Sequence, residues 1–354
     1  MKFGLSEEQS FLQTTVNKFL TDQAPLAGVR EIAAGAASDA EIWQGLAQLG
    51  VPGIMIPEAL GGVGLGSLDA AVIAECLGYH VTPGPFITSA TMAPIPLMAA
   101  GKEELLAAIA CGEHRVGIAF GEAIGARNDA GVSVEAGKMT GKSIFVLDGD
   151  ADSYLIATPD KTIYWVNAGD IKRTALTTVD KTRSTCELVF ENTAVELICD
   201  DEEIYNRTVD MGRVMQAADT LGAAQSMLNQ SVAYAKERKQ FNRVIGSFQA
   251  VKHMCADMAA DLEPCRSMIW YAAHALDDIP EEARLVACHA KAHLSEVGKA
   301  VSKTATEVHG GMGFTDLLGL HYWFKRIGAN RQLLGSPELL REEAARIQGL
   351  VTCR

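Results

Sequence analysis

A chain of 354 residues is too long for one ordinary hydrophobic core and implies two or three packed units. Its formal net charge of −13 argues against nucleic acid or an anionic membrane as the main partner, although a local arginine site can still hold a phosphate-bearing ligand. Apolar content of 48% with only 6% aromatics favours Ala/Leu/Val-rich helices, and no run of eighteen apolar residues supports a membrane span. Glu7 and Glu8 stand where a secretory signal needs a basic start and an apolar stretch, so a soluble cytoplasmic protein is expected. The eight cysteines (76, 111, 186, 199, 255, 265, 288 and 353) form no CxxC pair and no Cys/His cluster at metal spacing. They read as reduced, small buried hydrophobes, with no metal site.

Residues 1–112 read as helical. Ser6 stands as an N-cap, with Glu7 and Glu8 as first-turn acids and Gln9 at the capping-box position. Phe11, Val16, Phe19 and Leu20 then recur at helical spacing. The stretch from Gly50 to Gly66 holds Pro52, Pro57 and six glycines and interrupts the helices as a loop. Ala70 to Leu77 resumes a helix, and Pro83-Gly84-Pro85 breaks it again.

Residues 113–202 change texture. Val116–Phe120, Ser143–Leu147, Ser153–Ala157, Thr162–Val166 and Cys186–Phe190 are short β-favouring runs separated by turns such as Asp148-Gly149-Asp150. A small antiparallel barrel or sandwich fits them. Residues 203–354 are helical again, with Val214, Ala218, Leu221, Met227, Leu228 and Val232 on one helix face. A second helix runs from Phe248 to near Pro280, and a third stops at Gly310-Gly311.

Two segments carry most of the functional signal. In Glu237-Arg238-Lys239-Gln240-Phe241, an arginine at the end of a helix can fork two donors onto a pyrophosphate, or simply complement the helix dipole. In His309-Gly310-Gly311-Met312-Gly313-Phe314-Thr315, paired glycines admit a ligand that any Cβ would block, or simply end a helix. In this order, and with the opening Met1-Lys2-Phe3-Gly4-Leu5-Ser6-Glu7-Glu8-Gln9, they resemble the acyl-CoA dehydrogenases over nearly the full chain.

That resemblance implies a mainly α fold with a central β-domain: an N-terminal helical domain, a small antiparallel β-barrel and a C-terminal four-helix bundle. It also implies FAD as cofactor, an acyl-CoA thioester as substrate and an electron-transfer flavoprotein as acceptor. By the same resemblance Arg238, Gln240, Phe241, Gln249, Glu307, Gly310 and Gly311 contact FAD bound mainly by a neighbouring subunit. Glu307 stands where the family usually has glutamine; a carboxylate there accepts from ribose or adenine but repels phosphate. The other half of a flavin site is weak. Where the family has a Thr-Glu-Pro-Gly-like turn and a Trp-Ile-Thr-like strand, this chain has Phe120-Gly121-Glu122-Ala123 and Phe145-Val146-Leu147, without the hydroxyl donors.

Desaturation also needs a carboxylate to remove the α-proton of the thioester. The family places it in one of two positions, which match Leu334 and Gly212 here, so no catalytic residue is assigned. Asp210 lies roughly 200° round the helix from Gly212 and faces elsewhere. Glu338 is the better substitute, but it also fits as a first-turn acid after Ser336-Pro337. Asp219 either lines a cavity or is a solvated helix residue. Lys325 and Arg326, within His321-Tyr322-Trp323-Phe324-Lys325-Arg326, read as helix-surface charges. A kept cradle without a base resembles the shorter subunit of heterotetrameric acyl-CoA dehydrogenases of the sterol side-chain type, which implies a paralogous partner. A homo-oligomer using Glu338, or a catalytically inactive thioester-binding scaffold, remain the alternatives. Glycines and alanines in the long helices either make room for a bulky substrate or allow close helix packing.

Overall fold

The computed structural model describes residues 4–126 and 128–351; Met1, Lys2 and Phe3 of the opening motif, and Cys353, lie outside the described residues. Helix α1 (Glu7–Gln23) begins where its caps dictate: Gln9 N–H donates to Ser6 Oγ at 3.1 Å and Ser6 N–H donates to Gln9 Oε1 at 3.0 Å. Val16 and Leu20 are buried, whereas Phe11 is exposed. Phe11 precedes Val16 by five residues, about 140° round the helix, and so leaves the inward face.

Helices α2 (Leu26–Ala33), α3 (Ala40–Gln48) and α4 (Ser67–Tyr79) follow. After Pro83-Gly84-Pro85 comes a fully buried π-helical stretch, Phe86–Met92, then α5 (Pro94–Ala99) and α6 (Glu103–Ala110).

The sheet comprises β1 (Val116–Ala119), β2 (Gly131–Glu135), β3 (Lys138–Leu147), β4 (Ser153–Ala157), β5 (Ile163–Asn167), β6 (Lys172–Ala175), β7 (Thr185–Ala194) and β8 (Glu196–Cys199). Its order is β6-β7-β3-β1-β4-β5-β8, with β2 also paired to β3. The sheet is mixed rather than wholly antiparallel. β1 lies between β3 and β4, antiparallel to the first and parallel to the second, with Val116 opposite Ser153. Because the chain reverses between β3 and β4 while passing over β1, one parallel pair is unavoidable.

Helix α7 (Glu202–Glu237) runs through the centre of the molecule, its Val214, Ala218, Leu221, Met227 and Leu228 buried. A two-residue hairpin, β9 (Lys239–Gln240) and β10 (Arg243–Val244), leads into α8 (Gln249–Asp278) and α9 (Pro280–His309). α10 (His321–Gln332) packs on α7 and α9, and α11 (Pro337–Ile347) packs on α9. Small residues here serve close packing. A Cβ on Gly78 would stand 1.9 Å from the Asp219 carbonyl oxygen, and one on Gly222 would stand 1.8 Å from that of Glu75, so α4 and α7 cross backbone to backbone.

The described cysteines are all unpaired; Cys76, Cys186, Cys265 and Cys288 are buried, but Cys111 is exposed. Cys111 caps the end of α6 at the surface, where a small side chain is tolerated without burial.

Candidate functional site

The predicted cradle residues gather at one end of the long helices. α7 stops at Arg238, whose N–H closes the last turn on the Tyr234 carbonyl at 2.8 Å and whose side chain lies in an exposed residue. The hairpin turn forces positive φ on Phe241 (51°) and Asn242 (62°), as turns joining two short strands require. It leaves the Phe241 ring 87% exposed, with Phe248 edge-on at 6.1 Å and the Arg243 guanidinium 3.9 Å from the Phe248 ring centre. Gln249 opens α8 and its amide meets His253 at 3.0 Å.

Glu307 is exposed on the last turn of α9. Gly310 then takes φ 58°, and neither it nor Gly311 has an atom within 4 Å of where a Cβ would stand. The Tyr234 and His309 rings, 4.7 Å apart, tie the two segments together. His309 Nδ1–H donates to the Ala305 carbonyl at 2.7 Å, and burial lowers its pKa, keeping the ring neutral. Open backbone, an exposed guanidinium and an uncovered aromatic ring suit a ligand held chiefly by another surface.

None of the seven cradle residues lines the large cavity, which is elsewhere. It has a volume of about 1070 Å³ between the Pro83–Thr88 segment, the sheet and the start of the Leu333-Leu334 turn. On its sheet wall, Phe145 sits at an irregularity of β3 with φ 57°, and Leu147 follows it. Phe120 stacks on Tyr205 at 5.5 Å inside the core. The Glu122 carboxylate folds onto β3, accepting from Ile144 N–H at 2.8 Å and from the Ser143 hydroxyl at 2.5 Å. The Glu122 turn is therefore committed to the protein itself, whereas Phe145 of the marked strand is 43% exposed on the cavity wall. Thr88, Thr178, Thr182, Ser184 and Thr185 also line the cavity, and each hydroxyl donates to a protein oxygen.

Gly212 and Leu334, which the sequence reading matches to the family's base, meet in space. Leu334, 5% exposed, reaches across to Gly212, and a Cβ on Gly212 would stand 2.5 Å from both Leu334 Cδ1 and Met92 Sδ. Leu334 holds φ 56°, and its carbonyl accepts from Arg213 Nε–H at 3.2 Å. Where an acid would stand, the molecule has apolar contact.

The substitute acids stand apart from that spot. Glu338 is exposed at the start of α11, 3.0 Å from Arg331, and its pKa is lowered by its own backbone N–H and by Ser336. Asp210 is buried against Arg213 at 3.1 Å and Arg284 at 3.5 Å. Asp219 is not solvated: it is 2% exposed and takes Arg183 at 2.7 Å, Asn330 at 2.7 Å and Arg326 at 3.4 Å. Arg326 is likewise no surface charge. It is fully buried, donating to the Thr82 carbonyl at 2.9 Å and to Thr182 Oγ1 at 2.7 Å, because α10 turns this side towards Asp219.

Two polar residues on the cavity wall have no counterpart in the sequence reading. Burial pushes the Asp148 carboxyl up to about 7, and its Oδ2 has no hydrogen-bond partner. Gln216, one turn along α7 from Gly212, is 1% exposed with Oε1 unpartnered. Only the Asp-Gly turn marked the first; nothing in the α7 pattern distinguishes the second from other core-facing positions.

The family models for the acyl-CoA dehydrogenase N-terminal and C-terminal domains match residues 6–110 and 203–348. Acyl-CoA dehydrogenase IpdE2 of Mycobacterium tuberculosis is 33% identical over 339 residues, which cover 95% of this chain and 96% of that protein. The chain belongs to the acyl-CoA dehydrogenase family. Acyl-CoA dehydrogenases are FAD flavoproteins that oxidise a CH–CH bond of an acyl-CoA, and this chain keeps their fold along its length. IpdE2 of Mycolicibacterium smegmatis is 30% identical over 350 residues, 98% of this chain and 100% of that protein. The ChsE4-ChsE5 complex of Mycobacterium tuberculosis matches the acyl-CoA dehydrogenase fold seen here with a TM-score of 0.89 at 24% identity, over 100% of both chains. Butyryl-CoA dehydrogenase of Megasphaera elsdenii matches at 0.87 and 20% identity, over 98% of this chain and 100% of that one. Among the described residues no helix is long and apolar enough to cross a membrane.

Proposed function

We propose that this chain is the non-catalytic subunit of a heteromeric, FAD-dependent acyl-CoA dehydrogenase and completes a flavin site across the subunit interface. The observation that carries this reading is the Gly212–Leu334 contact. Both family positions for the base are occupied, by each other, with no carboxylate between them.

The chain's residues fit one part of FAD and not another. Arg238 and Gln240 present donors at an open surface, Phe241 offers a ring face, and Gly310-Gly311 admit close approach; together they would hold the cofactor's phosphate and ribose portions. The chain's own cavity is a poor fit for the ring, because the hydroxyls of Thr88, Thr182, Ser184 and Thr185 on its wall are spent on protein oxygens. Bound FAD supplies the hydride acceptor for the β-carbon. The part of this chain is to orient and shield that site, while the proton is taken by a base on the partner. The solved steroid ACAD Tcur3481-Tcur3483 has a TM-score of 0.87 at 25% identity, over 97% of this chain and 98% of that one. It supports a bulky, polycyclic acyl-CoA as substrate; an electron-transfer flavoprotein as acceptor and a cytoplasmic location are part of the same proposal. Units at 1–112, 113–202 and 203–354 belong to the same proposal.

Expression of the chain alone and together with a paralogous acyl-CoA dehydrogenase subunit tests this, with flavin absorbance as readout. The reading requires a colourless chain that gains flavin on co-expression. A yellow chain that bleaches with acyl-CoA on its own would sink it.

A further inference from the structure

The turn that carries Gly310 and Gly311 is seated at its near end on α9. A Cβ on Gly313 would stand 2.7 Å from the Thr306 carbonyl oxygen. Thr315 then folds back, donating to the Met312 carbonyl from its N–H at 3.1 Å and from its hydroxyl at 2.8 Å. Beyond Thr315 the chain crosses to α10 with no side chain to anchor it. None of residues 314–318 is buried, and Phe314 and Leu317 are 79% and 74% exposed. Such a segment keeps one path only where its backbone is bonded to something rigid.

That bond comes from α2, at the other end of the sequence. Arg30, in the last turn of α2, donates through Nη2 to the carbonyls of Asp316 and Leu317, the latter at 2.9 Å. The loop meets α2 with main chain. Gly319 takes φ 71°, and a Cβ on it would stand 2.8 Å from Arg30 Nη2 and 2.9 Å from Leu26 Cδ2. Nε of the same guanidinium is buried with no hydrogen-bond partner. An unmet donor costs about 1–3 kcal/mol, which offsets much of the stabilisation from the two bonds. The contact therefore fixes the loop more than it strengthens the fold. α10 has an anchor of its own, since Trp323 Nε1–H donates to the Tyr79 carbonyl at 2.8 Å, so loss of Arg30 frees the loop and not the helix.

We propose that Arg30 is a positioning residue for the flavin cradle. By holding the Asp316 and Leu317 carbonyls it sets the path by which the chain leaves the Gly310–Phe314 turn, and with it the opening at Gly310-Gly311 that receives FAD. Arg30 touches no ligand in this role. The N-terminal helices thus take part in cofactor retention, although the other cradle residues lie on α7, α8 and the hairpin between them. The inference deepens the proposed function and rests on its cradle reading.

Arg30→Met in the full-length chain, alone and co-expressed with the paralogous subunit, tests it by two readouts. Amide hydrogen exchange of the chain should rise about tenfold across residues 310–320 and stay unchanged in α8. FAD added back to the stripped complex should bind about tenfold more weakly by fluorescence titration, while Tm moves by less than about 3 °C. Gly319→Ala, which pushes a Cβ towards Nη2 with Arg30 in place, should change both readouts in the same direction. Arg30→Lys keeps a donor without the guanidinium's reach and should recover part of the lost affinity. Unchanged exchange at 310–320 overturns the inference, as does an Arg30→Met complex that binds FAD as tightly as wild type. A fall in Tm with FAD affinity intact also overturns it, since that marks a purely structural contact. Flavin content of the wild type is read first, so these outcomes leave the subunit reading standing. A wild-type chain yellow on its own defeats the subunit reading alone, and the Arg30 variants are then read on that chain; wild type without flavin in either preparation defeats both.

Discussion

Gly212 and Leu334 lie 122 positions apart in the chain and touch: a Cβ on the glycine would stand 2.5 Å from Leu334 Cδ1. The two positions that the sequence reading matches to a catalytic acid are thus one place in space, reached either from α7 or from the turn before α11. A single small-to-large pair closes both.

That contact predicts a coupled mutant cycle. Gly212→Ala alone should destabilise by about 1–3 kcal/mol through overpacking against Leu334 and Met92. Leu334→Ala alone should cost about 2–4 kcal/mol as a cavity. The double variant should be more stable than the sum of the two losses allows, by at least about 0.5 kcal/mol in urea denaturation. Strict additivity would mean the side chains do not meet as described.

Glu338 should be dispensable for turnover. Its carboxylate is at the surface, beside Arg331 and the α11 cap, so Glu338→Gln in a co-expressed complex should leave kcat and KM within about twofold. A loss of a hundredfold or more would return Glu338 to the role of base.

Arg238→Ala should separate cofactor retention from stability. Arg238 is exposed and ends a helix rather than bridging the core, so Tm should move by less than about 2 °C. Flavin content of the co-expressed complex, measured by absorbance after desalting, should fall several-fold.

The buried arginine of α10 should behave oppositely. Arg326→Met removes the donors to the Thr82 carbonyl and strands Asp180 and Asp219 with less positive charge. A loss of about 3–5 kcal/mol is expected, with no rescue by Arg326→Lys, whose ammonium cannot reproduce the fork.

Asp148 gives stability a pH slope. Burial raises its carboxyl from 3.8 to about 7, so between those values the native state holds a proton that the unfolded chain has released. Stability from this group therefore falls as pH rises from about 4 to about 7, and Asp148→Asn should flatten that fall by roughly 2–4 kcal/mol. Lys291 acts in the other direction, since burial lowers it from 10.5 to about 7 and its cost is relieved as pH rises through that window. Urea midpoints of wild type and Asp148→Asn across pH 4–8 isolate the Asp148 contribution.

Much of the fold was written in local signals. Ser6 with Gln9, Pro280 and Gly310 mark helix ends that need only neighbouring residues to form, and the structure places ends there. The parallel pairing of β1 with β4 had no such signal, because strand direction follows from how the chain passes over β1 and not from any run of residues. The same limit governs the site. Arg326 has the appearance of a helix-surface cation until Thr82, Thr182 and Asp219, all more than a hundred residues away, are placed around it. That neither Leu334 nor Gly212 carries a carboxylate was legible from residue type; that they share one spot was not, since proximity across the fold leaves no trace in either segment. Gln216 was hidden for a related reason: a buried amide draws notice only once a cavity is known to adjoin it.

The glycines of this molecule differ in what a side chain would strike. At Gly78 and Gly222 the obstacle is main-chain carbonyl, fixed by the crossing of two helices, whereas at Gly212 it is the tips of a leucine and a methionine. Main chain does not yield, but side-chain tips can be trimmed by one or two further substitutions. Position 212 can therefore take a side chain once Leu334 and Met92 are trimmed, whereas no such trimming makes room at the α4–α7 crossing.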